Sequence, residues 1–220
     1  MRIHLKTTSS EGCVSFNYQP KLVGVLHKWL GPNDIHGKLS MHSFSWLQGG
    51  VVTKDGIDFI AGAGLFISFY DSQRIKQVVR TILNDPLMFN GMRVTDVTIE
   101  EDRDLSGCDF FKIGSPVFIQ RRLETGENKH YTYENPEAGK LLEETLRHKM
   151  EVAGLPPDDS LEISFAIEYP ARKVKTIYYN GIGNKTSWCP VRIKGKSETK
   201  VFARNVGIGS STGIGFGSLF

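Results

Sequence analysis

With 220 residues, 40% of them hydrophobic, the chain can fold as one large domain or two small ones around a packed core. No run approaches the roughly eighteen apolar residues of a membrane span, and the opening MRIHLKTTSSEG is too polar for a signal peptide, so a cytoplasmic protein is expected. Cys13, Cys108 and Cys189 are widely spaced without a Cys-x-x-Cys pair, which argues against both a disulfide framework and a zinc site.

Residues 1–7 alternate Ile3 and Leu5 with Arg2, His4 and Lys6, the period of a half-buried strand with His4 outward. Leu22, Val25, Leu26, Trp29 and Leu30 recur at three and four residues and predict a helix from about Tyr18 that Gly31-Pro32 ends, with His27 at the edge of its buried stripe. GPNDIHGKLS then reads as a polar turn holding His36 and Lys38, followed by a short strand through His42, Phe44 and Trp46. Ile57 to Tyr70 is expected as a strand bent at Gly62 and Gly64. Asp71 or Ser72 caps a second helix whose buried face is Ile75, Val78, Val79, Ile82 and Leu83, stopped by Asp85-Pro86. MRVTDVTIE at 92–100 alternates as a strand.

This order, strand-helix-strand-strand-helix-strand, is the ferredoxin-like plan, with both helices on one sheet face and the opposite face available. The acidic run EEDRD at 100–104 reads as a boundary or linker, able to hold the two halves apart from the basic surface, and divides residues 1–104 from 105–220. The second half opens with strand-like FFKIGSPVFIQR, where Pro116 marks an edge, and HYTYENPEAG turns into a helix with Ala138, Leu141, Leu142, Leu146, Met150 and Ala153 inward and Gly154 at its end. From Leu161 the text reads as strands only, TKVFARNVG included, so no second helix is expected there and any second ferredoxin-like unit would be a degenerate copy.

The net charge of +3 is unevenly spread. Residues 171–204 hold nine Lys or Arg against the single acid Glu198, giving that segment +8 and the remainder −5. Arg172, Lys173, Lys175, Lys185, Arg192, Lys194 and Arg204 are therefore candidates to bind a polyanion, with Tyr178, Tyr179 and Trp188 among them as stacking or core aromatics. The tail NVGIGSSTGIGFGSLF adds Gly207, Gly209, Gly213, Gly215 and Gly217, alternating in part with Ile208, Ile214 and Phe216. Bare glycines let backbone N–H groups approach an oxyanion, so the tail reads as a phosphate-cradling loop anchored on a core. It has no Gly-Lys-Ser/Thr and opens no helix, so it is neither a P-loop nor a dinucleotide loop and no nucleotide cofactor is expected. The spacing of Asp34, Asp55 and Asp58 matches no metal loop.

RNA can be cut without a metal, because the ribose 2′-hydroxyl beside the scissile phosphate is an internal nucleophile. The protein must take that proton, offset charge on the phosphorane and protonate the leaving 5′-oxygen. Histidine suits the proton steps, and lysine or backbone N–H groups the charge. His36, in a Gly- and Asn-rich turn with Lys38 two residues on, is the leading candidate. His42 is its rival, while His4, His130 and His148 read as structural.

Gly207-Ile208-Gly209, five residues, then Gly215-Phe216-Gly217, together with FSWLQGG at 44–50, resembles the CRISPR-associated endoribonucleases that process precursor CRISPR RNA, in the repeat-associated mysterious protein superfamily. The resemblance implies an α+β fold of two tandem ferredoxin-like (RRM-like) domains, the second degenerate. It also implies metal-independent cleavage of CRISPR repeat RNA to 2′,3′-cyclic phosphate and 5′-hydroxyl ends, with no cofactor. His36 then occupies the place of the family's histidine after the first helix, His27 that of an assisting tyrosine, and Lys38 that of a lysine whose spacing departs from the family pattern. CRISPR repeat RNA is the implied partner, with other effector-complex subunits or a homodimer as further possibilities. Two alternatives stay open: a noncatalytic RNA-binding subunit of a surveillance complex, and a small-molecule phosphate-binding enzyme.

Overall fold

The computed structural model describes residues 1–31 and 39–220, so His36, Lys38 and Asp34 lie outside the described residues. In chain order the elements are β1 (Arg2–Thr7), α1 (Gln19–Leu30), β2 (His42–Phe44), β3 (Val51–Val52), β4 (Ile57–Asp58), β5 (Gly64–Phe69), α2 (Ser72–Asn84) and β6 (Val94–Glu100). There follow β7 (Phe110–Phe111), β8 (Val117–Arg122), β9 (Asn128–Tyr131), α3 (Ala138–Val152), β10 (Glu162–Phe165), β11 (Lys173–Tyr179), β12 (Ile182–Trp188), β13 (Val191–Lys194) and α4 (Ser197–Val206). The fold is two ferredoxin-like units in tandem, the second degenerate. No helix among the described residues is long and apolar enough to cross a membrane.

In the first unit the antiparallel order β2-β5-β1-β6 follows from the strand alternation, Ile3 facing Ile67 and Leu5 facing Leu65. The side chains of Ile3, Leu5, Leu65, Ile67 and Phe69 meet α1 and α2 in one apolar cluster. The Asp71 carboxylate caps α2 by accepting from Gln73 N–H at 2.8 Å. Leu83, expected on the buried stripe, is 73% exposed because its position rotates past the edge of the face set by Ile75, Val78 and Ile82. The strand expected over 57–70 is split. At Gly62 (φ +83°) a Cβ would collide with the Thr7 carbonyl, and the chain before it instead forms the small β3-β4 hairpin.

Two expectations about how the halves meet are corrected. The outer sheet face is covered: Arg2, Ser43, Ser45, Phe66 and Ser68 on it are buried beneath α4 and the C-terminal segment. Arg2 stacks over Phe66 at 3.7 Å and donates to the Arg204 and Leu219 carbonyls, Ser43 Oγ donates to Asn205 O at 3.1 Å, and Phe66 meets Phe220 at 5.1 Å. The run at 100–104 is a clamp rather than a spacer. Glu100 accepts from His4 (2.7 Å) and Arg204 (2.8 Å), Asp102 from Asn205 (3.0 Å) and the N-terminal ammonium (2.9 Å), and Asp104 from Ser197. Partial burial alone would raise the Glu100 pKa, but the hydrogen bonds from His4 and Arg204 outweigh it and hold the carboxyl down at about 2.

The second unit keeps the same order with bent strands. β10-β13-β7 form one sheet, β11-β12-β8-β9 another, and the breaks at Gly114–Pro116 and Cys189–Pro190 separate β7 from β8 and β12 from β13. Its closing strand is reduced to one bridge, Ile113 to Leu219. The absence of a second helix is also corrected, because residues 197–206 are helical. α4 is buried on most sides, including Thr199, Lys200, Arg204 and Asn205, so no apolar stripe at helical spacing stands out in its sequence. Partners for these groups come from outside the helix: Asp158 for Thr199 (2.7 Å), Asp109 for Lys200, Glu100 for the Arg204 Nη2 and Asp102 for the Asn205 Nδ2.

Candidate nucleic-acid interface

The glycine tail leaves α4 at Gly207 and folds back between the units. Ile208 N–H donates to Gly217 O (2.9 Å), Ser210 N–H to Phe118 O (2.7 Å), Gly215 N–H to Thr212 O (3.2 Å) and Gly217 N–H to Pro116 O (2.8 Å). Ile208 sits in the second core, Phe216 meets Phe118 at 5.2 Å, and Ile214 packs against the first core. The glycines answer to packing. Gly209 and Gly217 have φ of +74° and +63°, and a Cβ there would collide with the Phe118 and Ile208 carbonyls. A Cβ on Gly213 would strike Ser40 and lie 3.2 Å from His42 Cε1, and one on Gly215 would lie 2.9 Å from the Phe44 ring. Much of the loop's amide array is thus used inside the protein, and what reaches the surface is its apex at Ser210 and Ser211 with part of Ile214.

The loop adjoins the segment that follows His36. Gln19 Nε2 donates to Ile214 O (2.6 Å) and Trp46 Nε1 to Gly215 O (2.8 Å), so the start of α1 and the segment just after β2 both hold it. His42 on β2 is buried and stacks on Phe69 at 5.4 Å. Desolvation, then the nearby charges of Lys149 and His27, lower its pKa to about 4 against a hydrogen bond with the Gly213 backbone, so the ring is neutral at pH 7. His27 lies in the last turn of α1, half-buried and near enough to act on His42.

Lys149 was not singled out by the sequence reading. It lies on the inward stripe of α3, three residues beyond Leu146, and is only 2% exposed. Its ammonium donates to Val206 O (3.1 Å), Gly207 O (3.4 Å) and Thr212 Oγ1 (3.0 Å), tying the C-terminus of α4 to the turn of the glycine loop. Desolvation lowers its pKa to about 7. A lysine at a stripe position was the available signal.

The basic candidates separate into two groups. Arg172, Lys173, Lys175 and Lys185 are exposed in and just before the β11-β12 hairpin, and the three lysines form no ion pair among the described residues. Arg192 and Lys194 point from β13 to Glu168 and Glu162 (2.8 Å for Lys194), and Arg204 is buried against Glu100. The hairpin lysines are therefore the exposed candidates free of a carboxylate partner among the described residues, and Arg204 is part of the joint between the units.

The family described as CRISPR associated protein Cas6, C-terminal, matches residues 99–219. The chain belongs to the Cas6 family. Among solved structures, a Cas6-related protein from Pyrococcus furiosus superposes with a TM-score of 0.85 at 21% identity, covering 100% of this chain and 97% of that one. A RAMP protein described as binding different RNA substrates gives 0.82 at 20% identity (100% and 98% covered), and a Cas6 product complex 0.72 at 12% (100% and 99%). At these identities the likeness is one of fold. No curated protein matches the sequence. In this Cas6 chain the glycine tail closes the degenerate second unit against β2 and the residues that flank it.

Proposed function

We propose that the protein is a metal-independent endoribonuclease that cleaves CRISPR repeat RNA by attack of a ribose 2′-hydroxyl, leaving 2′,3′-cyclic phosphate and 5′-hydroxyl ends. The observation that carries this reading is the seating of the glycine loop on β2, where Gly213 meets Ser40 and His42, which follow His36 and Lys38 closely in the sequence. A RAMP protein described as binding different RNA substrates and a Cas6 product complex, both of this fold, support it. We assign the proton chemistry to His36, because His42 is enclosed and stacked, and a group neutral to about pH 4 is a weak base at pH 7. Lys38 would offset charge on the phosphorane, and His27 is a helper from α1. The hairpin cations Arg172, Lys173, Lys175 and Lys185 bind the backbone, with the loop apex alongside. The two units divide at residues 104 and 105 in this reading.

A second reading is an RNA-binding subunit without cleavage, held with other effector subunits or as a homodimer. The inward use of the loop's amides favours it, since fewer donors then remain for a phosphorane. The two are separated by incubating labelled repeat RNA with wild type and His36→Ala. Cleavage lost with binding retained supports the nuclease, and binding without any wild-type product supports the subunit.

A further inference from the structure

On the Trp46 side of the glycine loop an open groove of about 810 Å³ runs between the turn before α1, the β3-β4 hairpin and β11. Its walls include Phe16, Tyr18, Trp46, Trp188 and Tyr178, its rim has Lys173 and Lys175, and no Asp or Glu lines it. That volume is within the range that takes a small organic group. The deep rings are fixed in place: Trp46 lies 5.7 Å from Trp188 and 6.0 Å from Tyr18. Their polar edges are already used, Trp46 Nε1 on Gly215 O and Tyr18 Oη accepting from Leu47 N–H at 3.0 Å. The outer rings are presented to solvent, Tyr178 being 59% and Phe16 52% exposed. Core aromatics do not stand out in this way, and large exposed apolar groups gathered at one place mark a binding surface.

Building on the RNA-processing reading, we propose that this groove is a base-binding subsite. It takes one or two unstacked nucleobases of a single-stranded stretch of the RNA on the faces of Trp188 and Tyr178, with Lys173 and Lys175 on the flanking phosphates. Charge selects this occupant. An aromatic cleft with two cations at its rim and no lining acid matches a polyanion that carries flat apolar rings, and stacking tolerates any base because every base has a π-face. Lys185, opposite Thr176 in the register, adds a cation on the Tyr178 face of the β11-β12 hairpin, the other face from Lys173 and Lys175. A second copy of this chain would have to bring acids to meet the lysines.

The test uses the full chain and a short unstructured RNA carrying one 5-iodouridine, irradiated and mapped by peptide mass spectrometry. Crosslinks are expected on peptides holding Tyr178, Trp188 or Trp46. Tyr178→Ala, at an exposed ring whose loss leaves the core intact, should weaken binding of that RNA by about 10-fold, while Tyr178→Phe binds as wild type, since stacking contributes about 1–3 kcal/mol per base. Wild-type affinity in Tyr178→Ala and in Lys173→Glu/Lys175→Glu, with crosslinks elsewhere, overturns the subsite while leaving repeat cleavage standing. A change of oligomeric state in Tyr178→Ala with unaltered RNA affinity assigns the groove to a second copy and overturns it too. Failure of the wild type to bind any RNA overturns both this inference and the function it rests on.

Discussion

Replacing Lys149 by methionine keeps the length of the side chain and removes its charge, which makes the cost of burying an ammonium under the glycine loop measurable. In the folded protein the group titrates at about 7 and in the unfolded chain near 10.5. Between those values the unfolded state binds more protons, so wild-type stability rises with pH through this window and the penalty is full below about pH 7. From pH 7.5 to 9.5 the gain comes to about 2 to 3 kcal/mol. Lys149→Met has no such group and lacks that gain. The variant also leaves the Val206 and Gly207 carbonyls and Thr212 Oγ1 without this donor, which lowers its stability at every pH by about 1 to 3 kcal/mol for each acceptor left unsatisfied. Urea unfolding at the two pH values reads both effects, because the difference between wild type and variant isolates the lysine from all other titrations. The expected result is a midpoint difference that widens by about 1 M at the higher pH. Parallel pH dependences would refute a buried, neutralising lysine.

His42→Phe should show the complementary behaviour in acid. The folded imidazole titrates at about 4 and the free one at 6.5, so wild type loses about 3 kcal/mol as pH falls through that interval and the variant does not; acid unfolding followed by circular dichroism checks it. Gly217→Ala, at φ +63° against the Ile208 carbonyl, should lose more than about 3 kcal/mol in thermal unfolding, whereas Gly126→Ala, at φ +85° in open space, should lose about 1 to 2 kcal/mol. Equal losses would mean the loop does not hold its glycines by packing. In salt titrations of RNA binding, Lys173→Ala and Lys175→Ala should each reduce the log–log slope by about 1, while Arg204→Ala leaves the slope alone and lowers thermal stability.

The first unit was legible because its alternation and three-four spacing are clean: Ile3, Leu5, Trp29 and Val78 all point inward as their periods require. α4 was not, since Thr199, Lys200, Arg204 and Asn205 are buried and bond to partners more than 40 residues away, such as Asp158, Asp109, Glu100 and Asp102. The same long-range pairing disguised EEDRD as a linker and Arg204 as a surface cation, because a sequence displays a charge without its partner. The glycine spacing identified the tail but did not show the packing that also demands those glycines. Glycine is demanded both where a ligand approaches backbone and where backbone approaches backbone, and here the Phe118 and Ile208 carbonyls account for Gly209 and Gly217. Lys149 was visible as a lysine on an apolar stripe, yet its acceptors lie about 60 residues further along the chain.

In the proposed reaction His36 lets the RNA cut itself without a metal ion. Repeat RNA with a single 2′-deoxy sugar at the cleavage site, incubated in EDTA beside the all-ribo RNA, tests it most directly. The expected result is that the all-ribo RNA is cut to a cyclic phosphate by wild type and not by His36→Ala, and that the deoxy RNA is bound but uncut. Cleavage of the deoxy RNA, or loss of all cleavage on chelation, would contradict it.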